Sequence, residues 1–310
     1  MITKKNYSFR SKDGVVIKGI CMIPDKPAAI LQMVHGMNEH KERYIPFMEN
    51  MAERGYITLM HDNRGHGESV NVSDDIGYCY EDKDVGMVND IHMANRYIHK
   101  EYPELPIILY GHSMGSLAVR AFLKQHDDEI DGLIISGCPS YNGAFPVGKL
   151  LVKAMTKIKG NKYQSSFVRN LAVGAFNKPF VSEGIENAWL STDREVSETF
   201  NSDPLCQFTY ALNGYETLLN LELTVYCDRD YRVNNPELPI FFFSGKDDPC
   251  YISMNKWESA IKRMEKLGYN NVTATMFENM RHEIHNEKDK ALIFDEYDKC
   301  CRYCIRTKNA

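Results

Sequence analysis

The 310-residue chain has no apolar run near the roughly 18 residues that a membrane-spanning helix requires, which excludes a conventional helical span. Met1-Ile2-Thr3-Lys4-Lys5 leads into the strand-like Tyr7-Ser8-Phe9-Arg10 with no apolar stretch of signal-peptide type, so a cytoplasmic protein is expected. Disulfide spacing is missing as well. Nine cysteines are scattered without a framework, and the odd count fits reduced thiols. Strong charge of either sign is absent: 37 Lys and Arg stand against 42 Asp and Glu, a net charge of −5. That balance argues against nucleic acid as the main partner. It leaves room for transient contact with a lipid surface, without stable insertion. There is no internal repeat and no low-complexity tract, which excludes solenoids and fibrous arrays.

Three further absences concern chemistry. Asp62-Asn63-Arg64-Gly65-His66-Gly67-Glu68-Ser69 is glycine-punctuated, but it lacks the Lys-Ser/Thr ending of a phosphate-binding loop, so it is expected to brace structure. His282-Glu283-Ile284-His285 is one residue short of a zinc-protease motif. Cys300-Cys301-x-x-Cys304 offers three thiols where a closed zinc site needs four ligands, and helix packing is expected of it. No metal or other cofactor is therefore expected.

What is present is an alternation of strands and helices. Strands are expected near 6–10, 15–22, 29–34, 56–60, 106–110, 130–136, 238–244 and 272–277. Helices are expected near 41–54, 84–100, 114–126, 251–267 and 287–305. Several strands are continuous apolar runs, which implies a mostly parallel sheet covered on both faces. The alternation fails between about 141 and 236. Residues 1–140 and 237–310 are accordingly read as an α/β core, and 141–236 as an inserted cap. The cap shows one clean amphipathic helix, with Val147, Leu150, Leu151, Ala154, Met155 and Ile158 on one face. That face either packs on the core or belongs to a mobile cover.

Gly111-His112-Ser113-Met114-Gly115 follows an apolar strand and opens a helix. A sharp strand-to-helix turn lifts a serine hydroxyl out of the sheet, and side chains at the flanking glycines would collide. Ser113 is the expected nucleophile. A serine needs a base to take its proton. In this chain order an acid and then a histidine should follow. Of the later histidines, His126 closes the helix that the serine opens. His282 follows a strand at the edge where catalytic loops gather, and is preferred over His285. The acid should lie in Lys246-Asp247-Asp248-Pro249, with Asp248 preferred over Asp247 because the proline restrains it. Oxyanion donors are expected from the amide of Met114, directly after the serine, and from that of Met37, in the loop His35-Gly36-Met37-Asn38-Glu39-His40. His35 is expected to bond loop backbone. Met37, Met114, Phe145 and Phe176 point to an apolar pocket.

On these motifs, with Phe200-Asn201-Ser202-Asp203-Pro204-Leu205-Cys206 in the cap, the chain resembles the α/β-hydrolases of the monoglyceride lipase and lysophospholipase group, whose bacterial members are often labelled serine aminopeptidase. The resemblance covers nearly the whole chain. It implies an α/β-hydrolase fold with an inserted helical cap over an apolar acyl pocket. It also implies Ser113, Asp248 and His282 as triad, and the Met37 and Met114 amides as oxyanion hole. The expected activity is a serine esterase taking a small apolar ester such as a monoacylglycerol or lysophospholipid. One alternative is an aminopeptidase, in which a cap glutamate (Glu183, Glu186, Glu195, Glu198 or Glu216) would hold the substrate ammonium. The other is a hydrolase fold kept only for binding.

Overall fold

An antiparallel hairpin begins the sheet. β1 (Ile2–Arg10) pairs along its whole length with β2 (Val16–Pro24). The computed structural model describes residues 1–308. β3 (Ala29–Val34), β4 (Tyr56–His61), β5 (Ile107–His112), β6 (Gly132–Ser136), β7 (Ile240–Gly245) and β8 (Val272–Phe277) complete eight strands in the order β1-β2-β4-β3-β5-β6-β7-β8. β2 meets β4 antiparallel, and every later pairing is parallel. The sheet is thus mostly parallel, as the run of apolar strands implied. β1 reaches four residues further toward the N-terminus than its apolar pattern indicated. Most of its side chains are exposed, but its backbone pairs with β2 as far as Ile2 beside Pro24, and Ile2 packs partly on the core.

β3, β4, β5 and β6 are buried at every position because helices cover both faces. Successive strand residues point to opposite faces. Ile30, Ile57, Leu109 and Ile135 accordingly join one cluster with α2 (Lys83–Glu101), α3 (Met114–His126) and α8 (Met254–Leu267). Leu31, Met60, Tyr110 and Ile134 join the other, with α1 (Ile45–Glu53) and α9 (Lys290–Lys308). Cys300, Cys301 and Cys304 are buried in this second cluster as packing side chains of α9.

The register brings the strand ends to one edge. Val34 lies beside Gly111, His112 beside Ser136, and Ser136 beside Phe243. Between β6 and β7 the chain leaves the sheet and forms α4 (Phe145–Lys159), α5 (Ser166–Val173), α6 (Arg194–Ser202) and α7 (Leu212–Val225). The sequence pattern revealed only the first of these. α5 and α6 are short and start on side-chain caps, Ser165 to the Val168 amide and Asp193 to the Glu195 amide. α4 splits the face read as apolar: Leu151 lines a cavity and Met155 packs on the core, while Val147, Leu150 and Ile158 are largely exposed. Val147 and Leu150 are 68% exposed and Ile158 79%, while Val152, off that face, is 1% exposed. No helix among the described residues is long and apolar enough to cross a membrane.

Candidate active site

Ser113 sits between β5 and α3 with φ 53° and ψ −120°. A left-handed backbone is uncommon for a residue with a side chain and costs on the order of 1–3 kcal/mol. The surroundings over-determine it. The Ser113 amide donates to the Ser136 carbonyl at 2.9 Å, and the Ser116 hydroxyl donates to the Ser113 carbonyl at 2.6 Å. A Cβ at Gly111 would lie 2.6 Å from the Gly115 carbonyl oxygen, and one at Gly115 2.6 Å from that of His35. Those contacts are why glycine flanks the serine on both sides. Met114 is the first residue of α3, so its N–H has no intrahelical acceptor.

The loop after β7 carries the candidate acid. Asp247 is exposed, whereas Asp248 is buried and its Oδ2 lies 2.9 Å from His282 Nδ1. The Cys250 amide donates to the other Asp248 oxygen at 2.8 Å, which fixes the carboxylate plane. Burial by itself lowers the pKa of His282, but the charge and hydrogen bond of Asp248 outweigh it, so the imidazole titrates above its ordinary 6.5. His282 Nε2 lies 4.0 Å from the Cys250 thiol. Burial keeps that thiol protonated. His285 is not an alternative base. It is buried against Tyr44, its pKa pressed down to about 3 by burial, and its Nδ1 lies 3.5 Å from the Tyr110 hydroxyl. His126 pairs with Glu129 far along α3.

The loop after β3 is pinned beside the serine. A Cβ at Gly36 would lie 2.9 Å from Ser113 Cβ, so glycine permits the close approach. Glu39 accepts from the Gly36 amide at 2.5 Å and from Tyr44 at 2.9 Å, and Arg43 bridges Glu39 to Glu283 at 2.8 Å to each. His35 Nε2 accepts from the Asn63 amide at 2.9 Å while Nδ1 donates to the Gly36 carbonyl at 2.8 Å. Burial holds this imidazole neutral, well below 6.5. The Asp62 turn is a brace: Arg64 donates to Asp90 and Asp13 at 2.9 and 2.7 Å, and Lys41 to Asp62 at 2.8 Å.

Ser113, His282, Met37 and Met114 line one cavity of about 460 Å³. Phe145 and Phe176 line it too, with Leu151, Val152, Leu171 and Leu218 from the segment between β6 and β7. This is an apolar chamber with few polar groups, the usual form of a small-molecule site. Of the five glutamates named as ammonium ligands, none lines it. Glu183 binds Arg281, Glu198 binds Arg194 and Glu216 binds Lys83, while Glu186 and Glu195 are exposed.

Two lining residues went unread in the sequence. Trp189 packs at a tilt against His282 with ring centroids 4.8 Å apart, and its carbonyl accepts from the His282 amide at 3.4 Å. Glu222 lies on the buried side of α7, a carboxyl among Leu218, Leu221 and Val225. A lone acidic residue within an apolar helical face was the available signal.

In fold, the chain is similar to a thermostable carboxyl esterase from Bacillus coagulans, with a TM-score of 0.90 at 22% identity over 98% of this chain and 99% of that one. In sequence it is 24% identical over 296 residues to the monoacylglycerol lipase of Mycolicibacterium smegmatis, covering 95% of each. It is 25% identical over 265 residues to the monoglyceride lipase of Rattus norvegicus, covering 84% of this chain and 77% of the relative. The family described as serine aminopeptidase, S33, matches residues 25–289, which takes in the sheet from the end of β2 onward and every helix that lines the cavity. The chain belongs to this serine aminopeptidase S33 family of α/β-hydrolases, within its monoglyceride lipase-like group.

Proposed function

We propose that this carboxylic-ester hydrolase cleaves apolar acyl esters, monoacylglycerols first among them, through an acyl-enzyme on Ser113. The observation that carries the reading is the left-handed Ser113 at the head of α3, in one cavity with an imidazole held by a buried carboxylate. In this mechanism His282 Nε2 takes the proton from Ser113 as Oγ bonds to the ester carbonyl carbon. The carbonyl π electrons move to oxygen, and the Met37 and Met114 amides hold that oxyanion. The oxyanion collapses, the C–O bond to the alcohol breaks, and His282 gives its proton to the leaving oxygen. Water then repeats the sequence on the acyl-enzyme, His282 taking its proton and returning it to Ser113. Asp248 keeps Nδ1 protonated and offsets the transient imidazolium.

Residues 1–140 and 237–310 serve in this reading as the catalytic core, and 141–236 as a cap that supplies the apolar wall. The outward Val147, Leu150 and Ile158, with Phe167 and Leu171 also exposed, support transient contact with a lipid surface. All nine cysteines are unpaired, which supports a reducing, cytoplasmic setting.

The test is a rate profile on p-nitrophenyl esters from acetate to palmitate, with Ser113→Ala alongside. The expected result is a maximum at medium or long acyl chains and a loss on the order of 10⁶ in kcat in the variant. Ester turnover retained by Ser113→Ala would sink the assignment. Labelling of Ser113 by a fluorophosphonate separates an enzyme from a binding protein of the same fold.

A further inference from the structure

Away from the candidate active site, three side chains at the far end of α3 make hydrogen bonds only to one another among the described residues. His92 Nε2 lies 2.8 Å from one oxygen of Glu129, and His126 Nδ1 lies 2.8 Å from the other. His92 belongs to α2, His126 ends α3, and Glu129 stands in the turn just beyond. The two imidazoles stack with centroids 4.0 Å apart, and Phe122, one turn back along α3, packs against both. Among the described residues Glu129 makes no ion pair with Lys or Arg, so its carboxylate faces the two rings alone. All three side chains are 19–35% exposed, which leaves the group accessible to an ion from solvent. No local spacing announces the set, since 37 residues separate His92 from Glu129.

We propose that His92, His126 and Glu129 form a site for a divalent transition metal of the zinc class, and that the bound ion clamps α2 to α3. The three donor atoms lie within 4.8 Å of one another. Donors placed tetrahedrally around zinc are about 3.3 Å apart, so closure needs shifts of about 1.5 Å at most, which rotation of partly exposed side chains supplies. Two imidazole nitrogens and a carboxylate suit zinc, copper or nickel, whereas calcium and magnesium take oxygen donors. Solvent completes the coordination on the exposed side.

The rings must be neutral to bind. Burial and the neighbouring His126 lower the His92 pKa from 6.5, which favours that form. A neutral ring keeps its one proton by carrying it on the nitrogen turned away from Glu129, so the ion replaces two N–H donors without releasing a proton. Against the ion stands the Arg96 cation, one turn on along α2, which acts on His92 more weakly than Glu129 does. Two other groupings differ in kind. Asp248, Cys250 and His282 belong to the candidate active site, and His40, beside Asp203 and Cys206, has both nitrogens taken by carboxylates. The clamp closes the opposite end of α3 from Ser113, about 20 Å away along a helix of 13 residues. A metal there steadies the helix that carries Ser113 and takes no part in ester chemistry.

The test titrates zinc calorimetrically into the EDTA-treated, dialysed chain at about pH 7.5, a unit above the ordinary histidine value. Wild type, His92→Gln, His126→Gln and Glu129→Gln are compared. Wild type should bind zinc at one such site, and its Tm should rise by about 4 °C at a hundredfold excess over Kd. Each substitution should weaken binding at least about tenfold and remove most of the Tm rise, while ester turnover without metal stays at the wild-type level. Cobalt in place of zinc should give visible bands without a thiolate charge-transfer band, which separates this site from the cysteines. Zinc affinity unchanged in both His92→Gln and His126→Gln would overturn the clamp. So would a thiolate band in place of the expected cobalt spectrum, or wild type showing neither binding heat nor a Tm rise at millimolar zinc. Zinc that binds all four chains alike and abolishes ester turnover would also overturn it, assigning the ion to Asp248, Cys250 and His282.

Discussion

Two buried histidines are held by aspartates at almost the same distance: His282 by Asp248 at 2.9 Å, and His40 by Asp203 at 2.8 Å. In both, burial lowers the pKa and carboxylates more than restore it, leaving the imidazole above its ordinary 6.5. The difference lies in the second nitrogen. His40 Nδ1 is also taken, by Glu42 at 2.7 Å. With a carboxylate on each side, His40 ties the loop after β3 to the turn between α6 and α7. His282 lines the cavity, and among the described residues the one polar contact of its Nε2 is a protonated thiol at 4.0 Å. In the proposed mechanism one carboxylate prepares a base, whereas two make a strut. A buried imidazole is thus assigned by what its second nitrogen meets, not by the strength of its first partner.

The comparison breaks most sharply on the aspartates. Asp248→Asn is expected to lower kcat on p-nitrophenyl esters on the order of 10⁴-fold, because the amide holds the wrong tautomer. Asp203→Asn should lower it by less than about tenfold while reducing Tm, since it loosens a tie and leaves the chemistry intact. Equal rate losses in the two variants would erase the distinction. Rate against pH sharpens it next. The proposed mechanism uses neutral His282, so kcat/KM should fall as pH drops through an inflection above 6.5, and Asp248→Asn should move that inflection downward. His40→Gln should leave the inflection where it is.

The smallest effect is thermodynamic. The folded pKa of His40 is raised, so its ion pairs stabilise the fold fully below the unfolded value near 6.5 and lose that contribution as pH rises through the folded value. The Tm gap between wild type and His40→Gln should therefore be widest near about pH 6 and narrow toward about pH 9. A gap that widens with pH would mean that His40 acts there as a neutral imidazole.

Much of this could be read before any coordinates. Ser113, Asp248 and His282 each follow an apolar strand, and a parallel sheet sends the loops after its strands to one edge. Residues far apart in the chain are legible together for that reason. Gly36, Gly111 and Gly115 were legible because a close approach leaves room for no other residue. β1 was half hidden, since its exposed side chains carry no apolar signal while its backbone pairs with β2. α5 and α6 were hidden because they are short, and α7 because its buried side mixes Asn213, Glu216, Thr217 and Glu222 with apolar residues. α4 was misleading in a different way. Its apolar face is divided, with Leu151 and Met155 turned inward and Val147, Leu150 and Ile158 largely exposed, and its one fully buried residue, Val152, lies off that face. Trp189 acquires meaning only from the chamber, while Glu222 offered one local signal, a carboxyl within an apolar helical face.

The left-handed backbone at residue 113 has a practical consequence for trapping esters. Glycine adopts that conformation without the Cβ penalty, so Ser113→Gly removes the proposed nucleophile and relaxes the turn in one change. Ser113→Ala removes the hydroxyl but keeps the strained Cβ. An inactive chain that holds its ester intact is accordingly better sought with glycine than with alanine, because at this position the fold gains from what the chemistry loses.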